Sequence, residues 1–427
     1  MTKPTRSRTL RAILAATVLL CAATTLPAAE FHSNLQKSIA VSAGGKLKVE
    51  VDRGAIEVAA AEADKVEVQV FRTVKDEPKE KADEIFADHE VTFSQEGSAV
   101  IVRAEYKKGS GPNSQTERKG LIAKLFGFVN LTSQNKSARL KVRYQISVPK
   151  KFNADLKTFG GDITVADLEG EVRSVTSGGA LKLGHIQGPV WGKTFGGDIT
   201  LAGCAASAEV TTSGGSIKLG QVEGSATAQT FGGSIDIKSV QGKLSAKTSG
   251  GDITIDRAAA ETEAQTFGGT IKVKNASGNL NAHTSGGSIE IGEAGQNVTA
   301  QTFGGSIKVK KAGGKASLKT SGGEIEVGEA RNSLEAKTFS GSITAGLAGQ
   351  PSGDCRLETS GGDIKLRLAD SVAAKIDAHA SGGRVVTDIP LTVQGEQKPN
   401  TLQAQINGGG PALILRANGG SIYLKKL

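Results

Sequence analysis

Large side chains are scarce in this chain. Of 427 residues only 4% are aromatic, with one Trp, three Tyr and one Met. A conventional single-core enzyme leans on more of them than that. Only five histidines occur, at 32, 89, 185, 283 and 379. They stand apart from cysteine and from each other, without a metal-ligand spacing. Beyond the N-terminus no run is apolar enough to cross a membrane as a helix, which argues against a transporter. The glycines lack the every-third-residue period of collagen. Charged residues at 22% and hydrophobic ones at 38% are too ordinary for a long disordered tail.

The N-terminus reads as an export signal. Lys3, Arg6, Arg8 and Arg11 form a basic stretch with no acid before Glu30, and Ala12 to Ala23 is a twelve-residue apolar run. That run is too short to span a bilayer, and the small residues ending Leu26-Pro27-Ala28-Ala29 suit cleavage before Glu30. Residues 1–29 are therefore expected to be a signal peptide, and the mature chain to have no transmembrane segment. A lipoprotein reading of Cys21 is weaker, because Leu20 stands where such signals want a small residue. Losing four positive charges reduces the net +9 to about +5, a mild excess that does not suggest nucleic acid.

Glycine, by contrast, is abundant, at 56 residues. Much of it falls in one repeat. Thr-Phe-Gly-Gly or Thr-Ser-Gly-Gly begins at Thr158 and recurs every 18 residues to Thr338, with looser copies at Thr359 and Ala380. The second position alternates strictly, from Phe159 and Ser177 through Phe195, Ser213, Phe231, Ser249, Phe267, Ser285, Phe303 and Ser321 to Phe339. Such regularity identifies a stacked repeat. Two short strands are legible in each unit, for example Ile271-Lys272-Val273 and Leu280-Asn281-Ala282-His283-Thr284. Their period-2 alternation sends Ile, Val, Leu, Ala and Thr to one face and Lys, Gln, Glu and Asn to the other. The pairs Gly160-Gly161, Gly196-Gly197, Gly232-Gly233, Gly268-Gly269 and Gly304-Gly305 supply the positive φ or crowded backbone of a sharp corner. The expected fold is all-β: a parallel β-solenoid with an irregular N-terminal β region as its cap.

A coil could hold 18 residues or 36, and the outward charges favour 18. Successive units place Asp236, Thr254, Lys272, Glu290, Lys308 and Glu326 at one position. An 18-residue coil sets opposite charges ~4.8 Å apart, whereas a 36-residue coil stacks like on like. In the shorter coil each Phe lies over a Ser, which gives its ring more room than one rung provides. Exposed pairs contribute well under ~1 kcal/mol each, so the longer coil stays open at this point. Thirteen units make a rod of roughly 60 Å. Cys204 and Cys355, 151 residues apart, would be ~40 Å apart in short coils, too far for a disulfide; either could pair with another molecule.

The expected organisation is a signal at 1–29, an irregular region at 30–150, the regular solenoid at 151–390 and terminal coils at 391–427. Within 30–150, Glu77 to Asp88 has a helical flavour, and 107–134 is an insertion. Its Leu121–Val129 run reads either as an apolar tip touching a membrane or partner, or as a small satellite core. At the far end, Ile406–Pro411 and Ala417–Ile422 look like coils, with Pro411 limiting further pairing.

No cofactor, metal site or catalytic group is expected. Gly-Gly-Asp recurs, as at Gly250-Gly251-Asp252, but the nonapeptide spacing of calcium-binding repeats is absent and turn chemistry explains it better. The candidate binding face is a ladder of Lys193, Gln229, Lys247, Gln265, His283, Gln301, Lys319 and Lys337.

Gly44-Gly45-Lys46-Leu47-Lys48-Val49, then Val148-Pro149-Lys150 with Asn153-Ala154-Asp155-Leu156, the repeated Thr-x-Gly-Gly-Asp/Ser-Ile-x-Val and Ile406-Asn407-Gly408-Gly409-Gly410 together resemble the bacterial β-strand-repeat family of unknown function labelled "putative adhesin". The resemblance covers nearly all of the mature chain and implies a surface or envelope binding role, without catalytic residues. The chain departs from the family in its near-perfect period and its 107–134 insertion. The expected function is an exported, non-catalytic envelope protein of a Gram-negative periplasm or cell surface, binding a protein or polysaccharide. The alternatives are a self-associating periplasmic scaffold and, by fold analogy alone, a polysaccharide-degrading β-helix.

Overall fold

The structure, a computed structural model, describes residues 30–106, 139–394 and 398–427. Residues 1–29, expected to be a signal peptide, and the expected insertion 107–134, with its Leu121–Val129 run, lie outside the described residues.

Each repeat folds as one coil of two strands. In one such coil Ile271–Ala276 forms the first strand and Leu280–His283 the second. The corner Thr284 to Ser288 then leads to the next coil's Ile289–Ala294. Ile271 pairs with Ile289 and Leu280 with Val298, both in parallel register. Neighbouring coils are thus 18 residues apart, and the solenoid has about twelve turns. The charge argument holds in detail: Lys272 reaches Glu290 at 3.1 Å, Lys308 reaches Glu326 at 2.7 Å and Lys274 reaches Asp256 at 2.7 Å, each one coil away.

Period-2 alternation decides what is buried. Ile271, Val273, Leu280 and Ala282 are inside, while Lys272 and Asn281 are exposed. The inward threonine before each corner is buried as well, and its hydroxyl is satisfied by backbone. Thr284 Oγ1 donates to the Gly269 carbonyl of the preceding coil at 2.8 Å and accepts from Gly287 N–H at 3.3 Å. The same pair of bonds recurs at Thr194, Thr212, Thr230, Thr248, Thr266, Thr302 and Thr320. A buried polar row thereby carries no unsatisfied group.

The corner glycines are there for space. None of the repeat glycines has a positive φ, so of the two expected reasons only crowding applies. A Cβ on Gly269 would run into the Gly251 carbonyl, whereas on Gly268 it would lie 3.5 Å from the nearest atom. The chain itself shows the difference: Ser340 stands in the first position of its pair, before Gly341.

Two sheets run the length of the rod. The first begins with Glu30–Ala40, Lys65–Lys75 and Leu140–Pro149 in antiparallel order, then passes through Ala55–Ala61 and Ile163–Val165 into the repeat. The second begins with His89–Glu96 antiparallel to Ala99–Tyr106, then Lys46–Val51 and Asn153–Thr158. The coil that meets the repeat is therefore 46–61, and later residues lie outside it. The far end is built likewise. Ala412–Ala417 and Ile422–Lys426 wedge between the coil of Cys355–Thr359 and Ile364–Leu368 and that of Ala374–Ala380 and Val385–Thr387. Thr401–Ile406 then adds to the second sheet antiparallel to Ala374–Ala380, with Thr392–Val393 antiparallel on its outer side. Of the two stretches expected to look like terminal coils, 406–411 is a turn, with Asn407, Gly408 and Gly409 all at positive φ. The helical flavour near Glu77 is a helix, Lys79–Asp88, which buries Ala82 and Ile85.

Cys204 and Cys355 are free and buried, on strands of different sheets. Burial pushes both thiols up from their ordinary pKa. Pairing with another molecule, left open by the sequence, is closed off by that burial.

Candidate binding surface

The eight residues expected to form a binding ladder share one column of the second sheet. Register places Lys193, Thr211, Gln229, Lys247, Gln265, His283, Gln301, Lys319 and Lys337 side by side, one per coil. With strands ~4.8 Å apart, the column is an array of donors at a fixed short pitch. All alternate with inward residues and reach solvent at least in part.

The ladder is less cationic than its lysines suggest. Lys247 reaches Glu263 at 2.9 Å, Lys319 reaches Glu335 at 3.2 Å and Lys337 reaches Glu358 at 3.2 Å. Glu263 and Glu335 belong to the neighbouring outward column, while Glu358 continues the ladder itself one coil on. Hydrogen bonds from Arg356 hold the Glu358 carboxyl below its ordinary pKa against some burial, and Lys337 adds to the effect. Earlier in the neighbouring column the Arg173 guanidinium lies 4.0 Å over the Trp191 ring, a cation–π contact.

Two residues after each ladder position comes a feature the sequence reading left unused. Phe195, Phe231, Phe267, Phe303 and Phe339 point outward and are 54% to 72% exposed. Strand parity could have given this: the threonine before each is an inward position, so the next residue faces out. Serines fill the coils between, and the backbone stacks Phe on Ser directly, with Ser213 N–H donating to Phe195 C=O and Phe231 N–H to Ser213 C=O, each at 3.2 Å.

An open groove of about 510 Å³ lies against Glu57, Glu67, Gln69, Gln145 and Thr164, with Gln145 Nε2 donating to Glu57 at 3.0 Å. Ser147 also lines it, and register sets the Ser147 and Thr164 hydroxyl-bearing residues beside Glu67 and Glu57. Beneath the helix a buried polar cluster gathers Asp52, Arg72, His89, Tyr106 and Tyr144. His89 lies 3.7 Å from Asp52, and its ring centroid is 5.5 Å from that of Tyr106. Burial pushes the Tyr106 phenol up to about 12 and the Tyr144 phenol higher still, so both stay protonated. Among the described residues, no group of three or more His, Cys, Asp or Glu is placed to hold a metal ion. No helix among them is long and apolar enough to cross a membrane.

The family model of Toastrack DUF4097 matches residues 44–310 and 261–420. Solved structures that match include the following two. One, described as a "putative cell adhesion protein" from Clostridium sporogenes, is 10% identical, with a TM-score of 0.17 over 92% of this chain and 100% of that one. The other, a "putative adhesin" from Bacteroides fragilis, is 15% identical, with a TM-score of 0.23 over 69% of this chain and 97% of that one. No curated protein matches the chain.

Proposed function

We propose that this chain, which belongs to the Toastrack DUF4097 family, is an exported, non-catalytic protein of the cell envelope that binds a protein or polysaccharide through its ladder of lysines and amides. The observation that carries the reading is the single column running from Lys193 to Lys337, one polar side chain per coil. A repetitive polymer meeting such an array makes many weak contacts at once, and avidity multiplies them without any deep pocket. The basic and apolar order of residues 1–29 supports export, to the periplasm or surface of a Gram-negative cell. The carboxylates on the outer faces support a role other than glycan cleavage. Glu263, Glu290, Glu326 and Glu335 are each held in an ion pair with a lysine.

Replacing Lys247, Gln265, Gln301 and Lys319 together by Ala leaves the inward faces untouched. The mature protein should be retained on at least one of cell-wall, glycan or envelope-protein affinity columns, and the variant should elute early from it. Equal retention of the two, or no retention of either, overturns the reading.

A further inference from the structure

The exposed phenylalanines form a ladder with a period of its own. They occur in every second coil, so neighbouring rings are ~9.6 Å apart, twice the strand spacing. Aromatic rings in contact have centroids 4.5–7 Å apart, so the rings of this ladder do not touch one another. Between them lie slots floored by Ser213, Ser249, Ser285 and Ser321, all partly exposed. A ring entering such a slot sits ~4.8 Å from the ring on either side, within the stacking range. The shape that fills every slot is thus the same ladder displaced by one coil.

We propose that the phenylalanine ladder is a seam between two copies of this chain, lying side by side and antiparallel with their rings interdigitated. Symmetry selects the direction. A two-fold axis along the rod sets each coil against its own copy and brings Phe onto Phe. A two-fold axis across the rod, passing between the coils of Phe267 and Ser285, brings every Phe onto a Ser. Phe267 then faces Ser285 of the second copy, Phe303 faces Ser249, Phe231 faces Ser321, Phe339 faces Ser213 and Phe195 faces Ser360. Such a contact is self-complementary and closes on itself.

The exposed area suits this occupant. At 54% to 72% exposure, and taking roughly 200 Å² for a whole Phe side chain, the five rings offer about 650 Å² per chain. The pair would bury about 1,300 Å² from rings alone, inside the range of specific dimers.

The seam predicts opposite outcomes for two surface changes. One variant carries Phe231→Ser, Phe267→Ser and Phe303→Ser, the residue that alternate coils already hold there. The other fills the slots with Ser249→Phe, Ser285→Phe and Ser321→Phe. The mature protein, residues 30–427, is studied by sedimentation equilibrium from about 1 to 100 μM, with circular dichroism as the check on folding. Wild type should be a dimer, and the serine variant a monomer with unchanged spectrum, its dissociation constant raised at least a hundredfold. The slot-filled variant should also fail to dimerise, although it is the more apolar. A wild type that stays monomeric throughout overturns the seam, including one that instead binds lipid vesicles or glycan through these rings. Slot filling that strengthens association overturns it too, since plain stickiness has no register. The ladder of lysines and amides is intact in both variants, so loss of the seam and loss of ligand binding are read separately.

Discussion

In the repeat, most of the buried polar groups form a row of threonines whose partners come from the coils themselves. In residues 30–149 the interior instead holds Arg72, Glu77 and His89. Arg72 donates to the carbonyls of Phe86 at 2.9 Å and His89 at 3.1 Å, and to Ser33 Oγ at 2.6 Å. Glu77 is paired with Lys81 and Arg139. The repeat needs one solution, copied at each coil by register. The N-terminal region must turn two parallel ladders into antiparallel ends, and there a single side chain, Arg72, takes up the carbonyls of both Phe86 and His89. Repetition therefore makes the repeat intolerant at a few positions and permissive elsewhere, while the N-terminal region depends on particular long-range contacts.

The sharpest way to break this comparison uses glycine. Gly269→Ala should cost roughly 3 kcal/mol, since its Cβ meets a stacked backbone carbonyl that cannot yield without shifting the neighbouring coil. Gly268→Ala, one residue away, should stay within about 0.5 kcal/mol. In the N-terminal region the reason differs: Gly97 has φ +60° and open space around it, so Gly97→Ala should cost about 1 kcal/mol and Gly97→Asn less. Urea denaturation of the four proteins checks the order. Equal losses at Gly268 and Gly269 would mean that the corners are limited by dihedral angle after all.

A smaller effect is expected from Arg72, and it should be confined to one region. Arg72→Met keeps the length of the side chain but strands two carbonyls and a hydroxyl in a buried site, at roughly 2 kcal/mol. Burial pulls the Arg72 pKa below the ordinary arginine value, yet its three donors hold the helix Lys79–Asp88 to the strands beneath. Hydrogen exchange should speed up in residues 65–106 and stay unchanged in residues 250–320. Faster exchange in both segments would show that the cap and the repeat open as one unit.

The strand pattern, the 18-residue coil and the stacking of Lys272 on Glu290 were all legible, because each depends on residues one coil apart. The outward Phe ladder was legible from the parity of Thr266 and Phe267 but passed over. The order of coils at the two ends was not legible. A coil such as 412–426 presents the same inward residues and the same Gly419-Gly420 corner as any other. Periodicity thus cannot say between which neighbours it inserts. The polar cluster around Arg72 and His89 was hidden for the opposite reason, since its members come from five separate strands and turns and repeat nowhere.

The smallest effect expected is electrostatic and lies where the two regions join. Glu50, on the first coil, is met by Lys48 at 3.1 Å, Arg103 at 3.2 Å and Lys157 at 3.6 Å. Burial works to raise its pKa, but the hydrogen bonds from Lys48 and Arg103 outweigh it, so the carboxyl titrates below its ordinary 4.5. A carboxyl lowered by folding stabilises the fold fully above its unfolded pKa and loses that stabilisation as pH falls through the folded value. Glu50→Gln should therefore cost less than about 1 kcal/mol at pH 7, and progressively less as the pH falls through the folded value of Glu50. Lys272→Gln, which removes one rung of a ladder on the repeat's outer face, should cost even less. Urea midpoints at pH 7 and pH 3 measure both. A larger loss at Lys272 than at Glu50 would place the electrostatic stabilisation in the repetitive ladders and not in the junction where the cap begins.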